Sequence, residues 1–175
     1  MRAFGWAALI LVGLALPARA GPRVVSLDQC ADQYVLALAD RADVAGVSPR
    51  ADDPDSWLRS QGEAARRVRP TLEAVIAASP DVVVRYWGGD ARLMSALERR
   101  GIAVVQIDDA TDFEGVRANI HRVSSALQQP GRGADLIAGM NRNLAQSRES
   151  WNGETALYLT AAGWTAGRGT LIDSM

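Results

Sequence analysis

The sequence has no lysine, one cysteine and one histidine among its 175 residues. The absence of lysine excludes Schiff-base catalysis and the phosphate-binding lysine of a P-loop. A single cysteine excludes an internal disulfide and a metal site built from several thiolates. The formal charge of −1 argues against a nucleic-acid backbone as the partner. With 48% hydrophobic and 22% charged residues, the chain is neither a disordered tail nor a collagen-like repeat nor a polytopic membrane protein.

Catalytic motifs are scarce as well. His121 lies in a helical pattern, where a lone histidine is more often a surface residue than a general base. The chain has no Gly-x-Ser-x-Gly nucleophile motif, and the adjacent Asp108 and Asp109 point in different directions. Residues 131–133 (Gly-Arg-Gly) follow a helix and lack the third glycine of a dinucleotide-binding fingerprint. We therefore expect no catalytic residues, no resident metal and no cofactor.

The first twenty residues have the pattern of an export signal. Arg2 precedes an apolar run over residues 4–16, and an Ala-Arg-Ala triplet ends at Ala20. This run is too short for a membrane anchor, which needs about 20 residues, and the residues before Cys30 do not suit lipid attachment. The pattern predicts a signal peptide over residues 1–20 that is cleaved after Ala20. An unpaired surface thiol is a liability in an oxidising compartment, so we expect Cys30 to be at least partly buried.

Strand-like and helix-like segments alternate along the rest of the chain. Apolar runs predict strands over residues 23–27, 43–47, 81–84 and 102–107. Amphipathic stripes predict helices over residues 31–38 and behind N-caps at Thr71, Asp90 and Thr111, the last in a capping box with Glu114. Residues 50–69 lack periodicity and are expected to form a long loop. This order predicts an α/β fold, with a Rossmann-like parallel four-stranded sheet lobe.

Beyond this lobe the sequence predicts a long helix and then further structure. Residues 132–151 form an amphipathic stretch without an internal breaker, and residues 155–160 are strand-like. We therefore predict a fold with a long linking helix and the start of a second α/β lobe. The predicted division is a signal peptide (1–20), an N-terminal ligand-binding lobe (21–130), a rigid linking helix (131–152) and the start of the C-terminal lobe (153–175).

The carboxyl ends of the predicted strands are the expected ligand-binding edge, since ligands bind there on open parallel sheets. These ends carry Asp28-Gln29-Cys30, Ser48-Pro49-Arg50, Arg85-Tyr86-Trp87 and Asp108-Asp109. Tyr86 and Trp87 offer an aromatic contact surface, and Arg50, Arg85 and Arg168 can each bind an anionic group with paired hydrogen bonds. Two alternatives stay open at this stage: the two aromatic residues pack in the core, and the arginines are solvated charges.

Several segments resemble the periplasmic substrate-binding proteins of ABC importers for cobalamin, haem and ferric siderophores. They are residues 23–27, 69–84 (RPTLEAVIAASPDVVV), 87–89 and 101–104. The Leu-Glu … Pro-Asp-Val-Val block within residues 72–83 is the most specific of them, and the similarity extends over residues 22–172. The resemblance implies two α/β lobes joined by one rigid helix, with the ligand held between the lobes.

The resemblance also implies two groups of functional residues. Polar and aromatic side chains at strand ends would line the cleft between the lobes. With the arginines, the predicted ligand-binding set is Asp28, Gln29, Cys30, Ser48, Arg50, Tyr86, Trp87, Asp108, Trp164 and Arg168. Trp57, in the polar loop, is a further aromatic candidate. Glu73 matches the glutamate that docks on an arginine of the membrane permease, although a helix-capping charge is the alternative for it.

The sequence thus predicts a periplasmic, monomeric solute-binding protein and not an enzyme. Its expected partners are a metal chelate and the permease of an ABC importer in the inner membrane, with no nucleic acid. Because members of that family continue through a full second lobe, we expect that this chain is truncated and lacks part of the cleft. Two alternatives stay open: a secreted Rossmann-like enzyme with catalytic groups in missing sequence, and a fragment without function.

Overall fold

The computed structural model describes residues 21–150, 152–153, 157–160 and 162–175 of the chain. The predicted signal peptide over residues 1–20 lies outside the described residues. In the described part of the chain, no helix is both long and apolar enough to cross a lipid bilayer. All helices and strands of the described part lie between residues 24 and 150.

Strands and helices alternate in the order that the sequence predicts. The strands are β1 (Val24–Ser26), β2 (Val44–Gly46), β3 (Val82–Arg85) and β4 (Ala103–Gln106). The helices are α1 (Gln29–Leu38), α2 (Arg59–Glu63), α3 (Leu72–Ala77), α4 (Ala91–Glu98), α5 (Phe113–Ala126) and α6 (Pro130–Ser150). The predicted α/β class is confirmed, and the element boundaries differ from the predicted ones by only a few residues.

The four strands form one parallel sheet in the order β2-β1-β3-β4. The chain passes from β1 outward to β2, crosses back to β3 and continues to β4. The direction of winding therefore reverses between the two central strands, β1 and β3. Such a switch point leaves a crevice at the carboxyl ends of the two strands, and ligands of open α/β sheets bind in that crevice.

The valine-rich strands supply a core on each face of the sheet, because successive strand residues point to opposite faces. Val82 and Val84 pack in one cluster with residues of α1 and α5. Val83 packs in the other with residues of α3 and α4. Each fully buried valine contributes about 1.5–3 kcal/mol. The sheet is thus covered on both faces, and its carboxyl edge is left as the route of access for a ligand.

Three of the predicted helix starts depend on N-caps, and one of the three is wrong. Thr71 and Asp90 cap α3 and α4 as expected, each accepting a hydrogen bond from the amide three residues later. The expected capping box of Thr111 and Glu114 does not form. Asp112 is the N-cap of α5, and its carboxylate accepts from the amide three residues later at 2.8 Å. An aspartate is a stronger N-cap than a threonine, so the helix begins one residue further along.

The predicted loop over residues 50–69 contains a short helix that the sequence did not indicate. Helix α2 lies within it, and Val47 forms an isolated parallel bridge with Arg67. Gly62 lets α2 pack against Ala51, since a Cβ at Gly62 would lie 2.5 Å from the carbonyl oxygen of Ala51. A helix of 5 residues is too short to show periodicity. We therefore attribute the formation of α2 to the tertiary contact between Gly62 and Ala51.

Helix α6 occupies most of the predicted linking helix. It has 21 residues and is about 30 Å long. Its first turns pack closely on α5, because a Cβ at Gly133 would lie 2.3 Å from Oγ of Ser124. Most residues of its second half are exposed. Whether it links two lobes over residues 131–152 stays a prediction.

The segment after α6 has no helix or strand among its described residues. Residues 157–160, which belong to the predicted fifth strand over 155–160, lie outside any sheet, and the other predicted strand residues lie outside the described part. Residues 170–175 form turns, with the amide of Ser174 donating to the carbonyl of Thr170. A lone strand is unstable without neighbours. The start of a second lobe over residues 153–175 stays a prediction.

Candidate ligand-binding site

The structure brings two of the predicted segments together at the switch point. Strands β1 and β3 pair in parallel, with Ser26 opposite Val84. Residues 28–30, which follow β1, therefore lie beside residues 86–89, which follow β3. We refer to residues 86–89 (Tyr-Trp-Gly-Gly) as the aromatic turn.

Asp28 joins these two segments through its carboxylate. Its Oδ1 accepts from the amide of Ala31 at 2.9 Å and caps α1. Its Oδ2 accepts from the amides of Tyr86, Trp87 and Gly88 at 2.7, 3.1 and 2.9 Å. The residue is only 1% exposed. Both oxygens therefore serve the protein's own backbone, and we describe Asp28 as part of the support of the site, not of its open surface.

The aromatic turn has three further supports. The guanidinium of Arg85 donates to the carbonyls of Gly88 and Gly89 at 2.9 and 3.4 Å. The amide of Gln106 donates to the carbonyl of Tyr86 at 2.7 Å. Gly88 also passes very close to the residue that follows β1. A Cβ added at Gly88 would lie 2.4 Å from the carbonyl oxygen of Leu27. The shape of this turn is thus fixed by contacts on several sides.

The two aromatic residues of the turn have different surroundings. Trp87 is 52% exposed, so it is not a core residue, and it lies near the thiol of Cys30. Tyr86 packs partly against the core cluster of α1 and α5. Its hydroxyl is hydrogen-bonded to the carboxylate of Asp109, which raises the pKa of Tyr86. The structure thus presents a half-exposed indole at the switch point, beside Cys30.

Cys30 is an exposed residue, but its sulfur is partly shielded from solvent. It is the second residue of α1, on the side of the helix start that faces the aromatic turn. Loss of solvation around the sulfur, followed by the negative charge of Asp28, raises the pKa of the thiol. The thiol therefore stays protonated and unreactive at neutral pH. We assign it to the surface of the candidate site.

Ser48 is 1% exposed and is engaged with a buried carboxylate that the sequence analysis overlooked. The amide and hydroxyl of Ser48 donate to Asp32 at 2.8 and 2.6 Å, and the hydroxyl of Ser26 donates to the same carboxylate. Loss of solvation raises the pKa of Asp32. A signal was present, since Asp32 lies three residues before Val35 on the buried stripe of α1. Ser48 thus fixes the loop after β2 and is not open to solvent.

Gln29 and Arg50 hold the same loop from the outside. The amide of Gln29 donates to Asp55 and Ser56 at 2.6 and 3.0 Å. The exposed Arg50 donates to Asp53 at 2.6 Å, and this bond raises the pKa of Arg50. Two of the three arginines expected to bind an anionic ligand are therefore already engaged, since Arg85 is bound within the aromatic turn and Arg50 is ion-paired.

The remaining predicted ligand residues have local contacts. Asp108 is exposed and forms an ion pair with Arg122 at 2.7 Å. Trp164 is 74% exposed, and its backbone exchanges hydrogen bonds with Thr160. Arg168 is exposed in the same C-terminal segment. The structure therefore gathers Asp28, Cys30, Tyr86 and Trp87 at one point but provides no contact that adds Trp164 or Arg168 to them.

Glu73 lies in the first turn of α3 and is exposed. Among the described residues, no arginine lies within ion-pair distance of it. The first turns of α3 and α4 line a shallow depression beside its side chain. Its carboxylate is therefore available to a partner as well as to the helix dipole.

Two other features of the described residues bear on chemistry. No group of three His, Cys, Asp or Glu side chains in the described part could hold a metal ion, and His121 is exposed on α5. An open groove of about 850 Å³ lies along α1 and α6, with Trp57 at its rim. None of the ten residues of the predicted ligand-binding set lines this groove, so it is distinct from the switch point.

Solved structures show the same architecture. A possible iron-binding (periplasmic solute-binding) protein from Staphylococcus epidermidis aligns with 89% of this chain at a TM-score of 0.70 and 15% identity. The periplasmic heme-binding protein RhuT from Roseiflexus sp. RS-1 aligns with 87% at a TM-score of 0.67 and 24% identity. The chain has the fold of the periplasmic binding proteins. The predicted α/β lobe with its four-stranded parallel sheet is thereby confirmed, whereas the two lobes joined by one rigid helix stay a prediction.

The periplasmic-binding-protein fold is shared at low sequence identity and over part of the neighbours' length. The periplasmic vitamin B12 binding protein BtuF of Vibrio cholerae aligns with 88% of this chain at a TM-score of 0.65 and 18% identity. The chain spans only 64%, 61% and 62% of the length of these three neighbours. No protein-family model and no curated protein matches the sequence.

Proposed function

We propose that this protein is the solute-binding component of an ABC importer. It captures a metal chelate in the periplasm and delivers it to the permease, without chemistry of its own. The observation that carries the proposal is Trp87: a half-exposed indole, held by its turn at the switch point of a parallel sheet. The described neighbours with the same fold are binding proteins for heme, iron or vitamin B12, which supports the proposal.

The fold is compatible with the following proposed arrangement of the molecule. Residues 21–130 form the ligand-binding lobe, and residues 131–152, most of which belong to α6, form the rigid link. A second lobe begins in residues 153–175, where Trp164 and Arg168 would face the ligand from its other side. Export through the signal peptide over residues 1–20 places the protein in the periplasm.

The ligand class follows from the shape and charge of the exposed surface. A flat indole face favours stacking on a planar macrocycle such as a corrin or porphyrin. Arg50 and Arg85 are bound to the protein's own groups, whereas Asp108 and Asp109 are exposed at the neighbouring strand end. A chelate with few exposed anionic groups therefore fits this lobe better than a polyanionic siderophore, because no free arginine faces the indole from the described strand ends.

Glu73 is the proposed docking residue for the permease. Its carboxylate is exposed on a helix start, where a partner's arginine could pair with it. Glu73→Gln should leave chelate binding unchanged and lower chelate-dependent growth of cells that rely on this importer. The matched control is Glu98→Gln at the end of α4, which should affect neither. Equal growth of both variants would contradict the docking role.

Tryptophan fluorescence of the purified chain, titrated with cobalamin, haemin and a ferric siderophore, tests the proposal. We expect saturable quenching at micromolar protein that is strongest for a planar macrocycle. The response should weaken most and need a higher chelate concentration in Trp87→Phe, and it should change little in Trp57→Phe, which removes an exposed indole elsewhere. A folded wild-type protein that responds to none of the three chelates would contradict the proposed function.

A further inference from the structure

One carboxylate oxygen at the switch point accepts three consecutive backbone amides. The amides of residues 86–88 all donate to Oδ2 of Asp28, within 2.7–3.1 Å. Successive amides that converge in this way form a concave anion site of the kind found in phosphate-binding loops. Here the anion is a side chain of the protein. The aromatic turn is therefore wrapped around a buried negative charge.

Backbone donors are the contacts that stabilise this charge. Asp28 is 1% exposed, and no arginine of the described residues lies within ion-pair distance of it. Four amides and the N-terminal dipole of α1 compensate the carboxylate instead. Hydrogen bonds to a charged acceptor are stronger than neutral ones, so the aromatic turn loses most of its freedom before any ligand arrives.

We propose that Asp28 is a positioning residue for ligand binding, which fixes the aromatic turn so that the Trp87 ring is presented in its binding geometry. This inference rests on the proposed function and assigns Asp28 a role behind the binding surface. Preorganisation raises affinity because less conformational entropy is lost when the ligand binds.

Asp28→Ser separates the two tasks of the carboxylate. Serine is a good N-cap and keeps the acceptor for α1, but its single short hydroxyl cannot also serve the aromatic turn. The matched control is Asp112→Ser, which alters the N-cap of α5 and no contact of the turn. Asp28→Asn is a second, nearly isosteric variant, because its NH2 group places a donor against either the amides of residues 86–88 or the amide of Ala31, which are donors themselves.

Amide hydrogen exchange of the full chain, followed by NMR, measures the turn without any ligand. We expect exchange at residues 86–88 to become at least about tenfold faster in both Asp28 variants, with β3 unchanged. The affinity for cobalamin or haemin should fall about tenfold as well. Asp112→Ser should change neither quantity.

The outcomes distinguish this inference from the proposed function. Unchanged exchange at residues 86–88, or a change shared equally by β3, overturns the anchoring of the turn by Asp28. Faster exchange with unchanged chelate affinity overturns the positioning role alone. A folded wild-type protein that binds neither cobalamin nor haemin overturns the proposed function, whatever the exchange data show.

Discussion

Two segments at the carboxyl edge of the sheet each present an exposed tryptophan, but the protein holds them in different ways. Trp87 belongs to the aromatic turn and is 52% exposed, whereas Trp57 lies in the loop after β2 and is 90% exposed. The aromatic turn is tied from the inside, by the buried carboxylate of Asp28. The Trp57 loop has its buried anchor at its start, where Ser48 binds Asp32, and beside Trp57 itself it is held by Gln29 and Gln33 of α1.

The difference shows why exposure alone does not identify a binding residue. Hydrogen bonds to a buried charge are about twice as strong as neutral ones and are screened little by solvent. The contacts of Gln29 and Gln33 with the Trp57 loop are partly or fully exposed, so water competes for them. A ring on a fixed support binds with a small entropic cost, and a ring on a loosely held loop does not. We therefore expect Trp87 to carry binding and Trp57 to contribute little.

The largest expected effect comes from the closest approach in the aromatic turn. In Gly88→Ala, the new Cβ would lie 2.4 and 2.6 Å from the carbonyl oxygen and carbon of Leu27, and backbone atoms cannot move away cheaply. We expect the free energy of unfolding to fall by about 3 kcal/mol, measured by urea denaturation. Gly131→Ala is the control, since no atom lies within 4 Å of its added Cβ. Equal stability of the two variants would show that the turn can shift away from β1.

The next effect concerns binding and tests the comparison directly. Trp87→Ala should weaken chelate affinity about 30-fold, the loss of about 2 kcal/mol typical of a central aromatic contact. Trp57→Ala should weaken it less than about threefold, because nothing fixes its ring over the switch point. Isothermal titration with cobalamin and haemin measures both. If the two variants lose the same affinity, the distinction between the segments is wrong.

A smaller effect is expected in the Trp57 loop. Gln33→Ala removes the acceptor of the Leu58 amide, which lies at 2.8 Å, and should lower local stability by about 1 kcal/mol. Part of this loss of stability is offset, because the substitution also removes Nε2 of Gln33, which is buried with no partner among the described residues. Hydrogen exchange of the Leu58 amide measures the local stability, and we expect it to become faster in Gln33→Ala. Gln61→Ala, nearby on α2, serves as the control, and faster exchange there too would argue against a specific tie.

The smallest effect depends on pH and involves the carboxylate at the base of the Trp57 loop. Burial raises the pKa of Asp32 in the folded protein above its unfolded value. The charged form therefore costs stability above the folded pKa, and this cost disappears as the pH falls below the unfolded value. Asp32→Asn keeps an acceptor for Ser26 and the Ser48 amide and offers a donor to the Ser48 hydroxyl.

We expect the stability of Asp32→Asn relative to wild type to be greater at pH 7 than at pH 4, as measured by urea denaturation at both values. The variant lacks the titrating carboxylate. Protonation at this position on acidification should therefore raise the stability of the wild type and not that of the variant. Asp112→Asn, at an exposed N-cap, is the control. A difference between variant and wild type that is the same at both pH values would contradict the raised pKa.

The fold was largely predictable because its signals are local. The valine run of β3 and the N-caps Thr71 and Asp90 each lie within a few neighbouring residues, and the structure has them as predicted. Two local predictions failed where a competing contact decided the outcome. Asp112 replaced Thr111 as the N-cap of α5, and packing of Gly62 against Ala51 produced α2 in an expected loop.

The candidate site was predictable only in part. The positions of Tyr86 and Trp87 after a buried strand indicated their place at the sheet edge. The roles of Asp28 and Ser48 were not visible, because both residues are polar strand-end residues in the sequence and both are buried in the structure. Whether a polar side chain faces a ligand or the backbone of another loop depends on which strands are neighbours.

The sequence alone determines the alternation of strands and helices, the parallel sheet and the presence of an aromatic pair at one strand end. These features follow from periodicity and capping, which act between residues close in the chain. Only the tertiary structure decides that Asp28 supports Trp87, since the two are 59 residues apart. The pairing of β1 with β3 brings them together, and burial then turns a carboxylate into an acceptor for three amides, because a buried charge must be satisfied from within the protein.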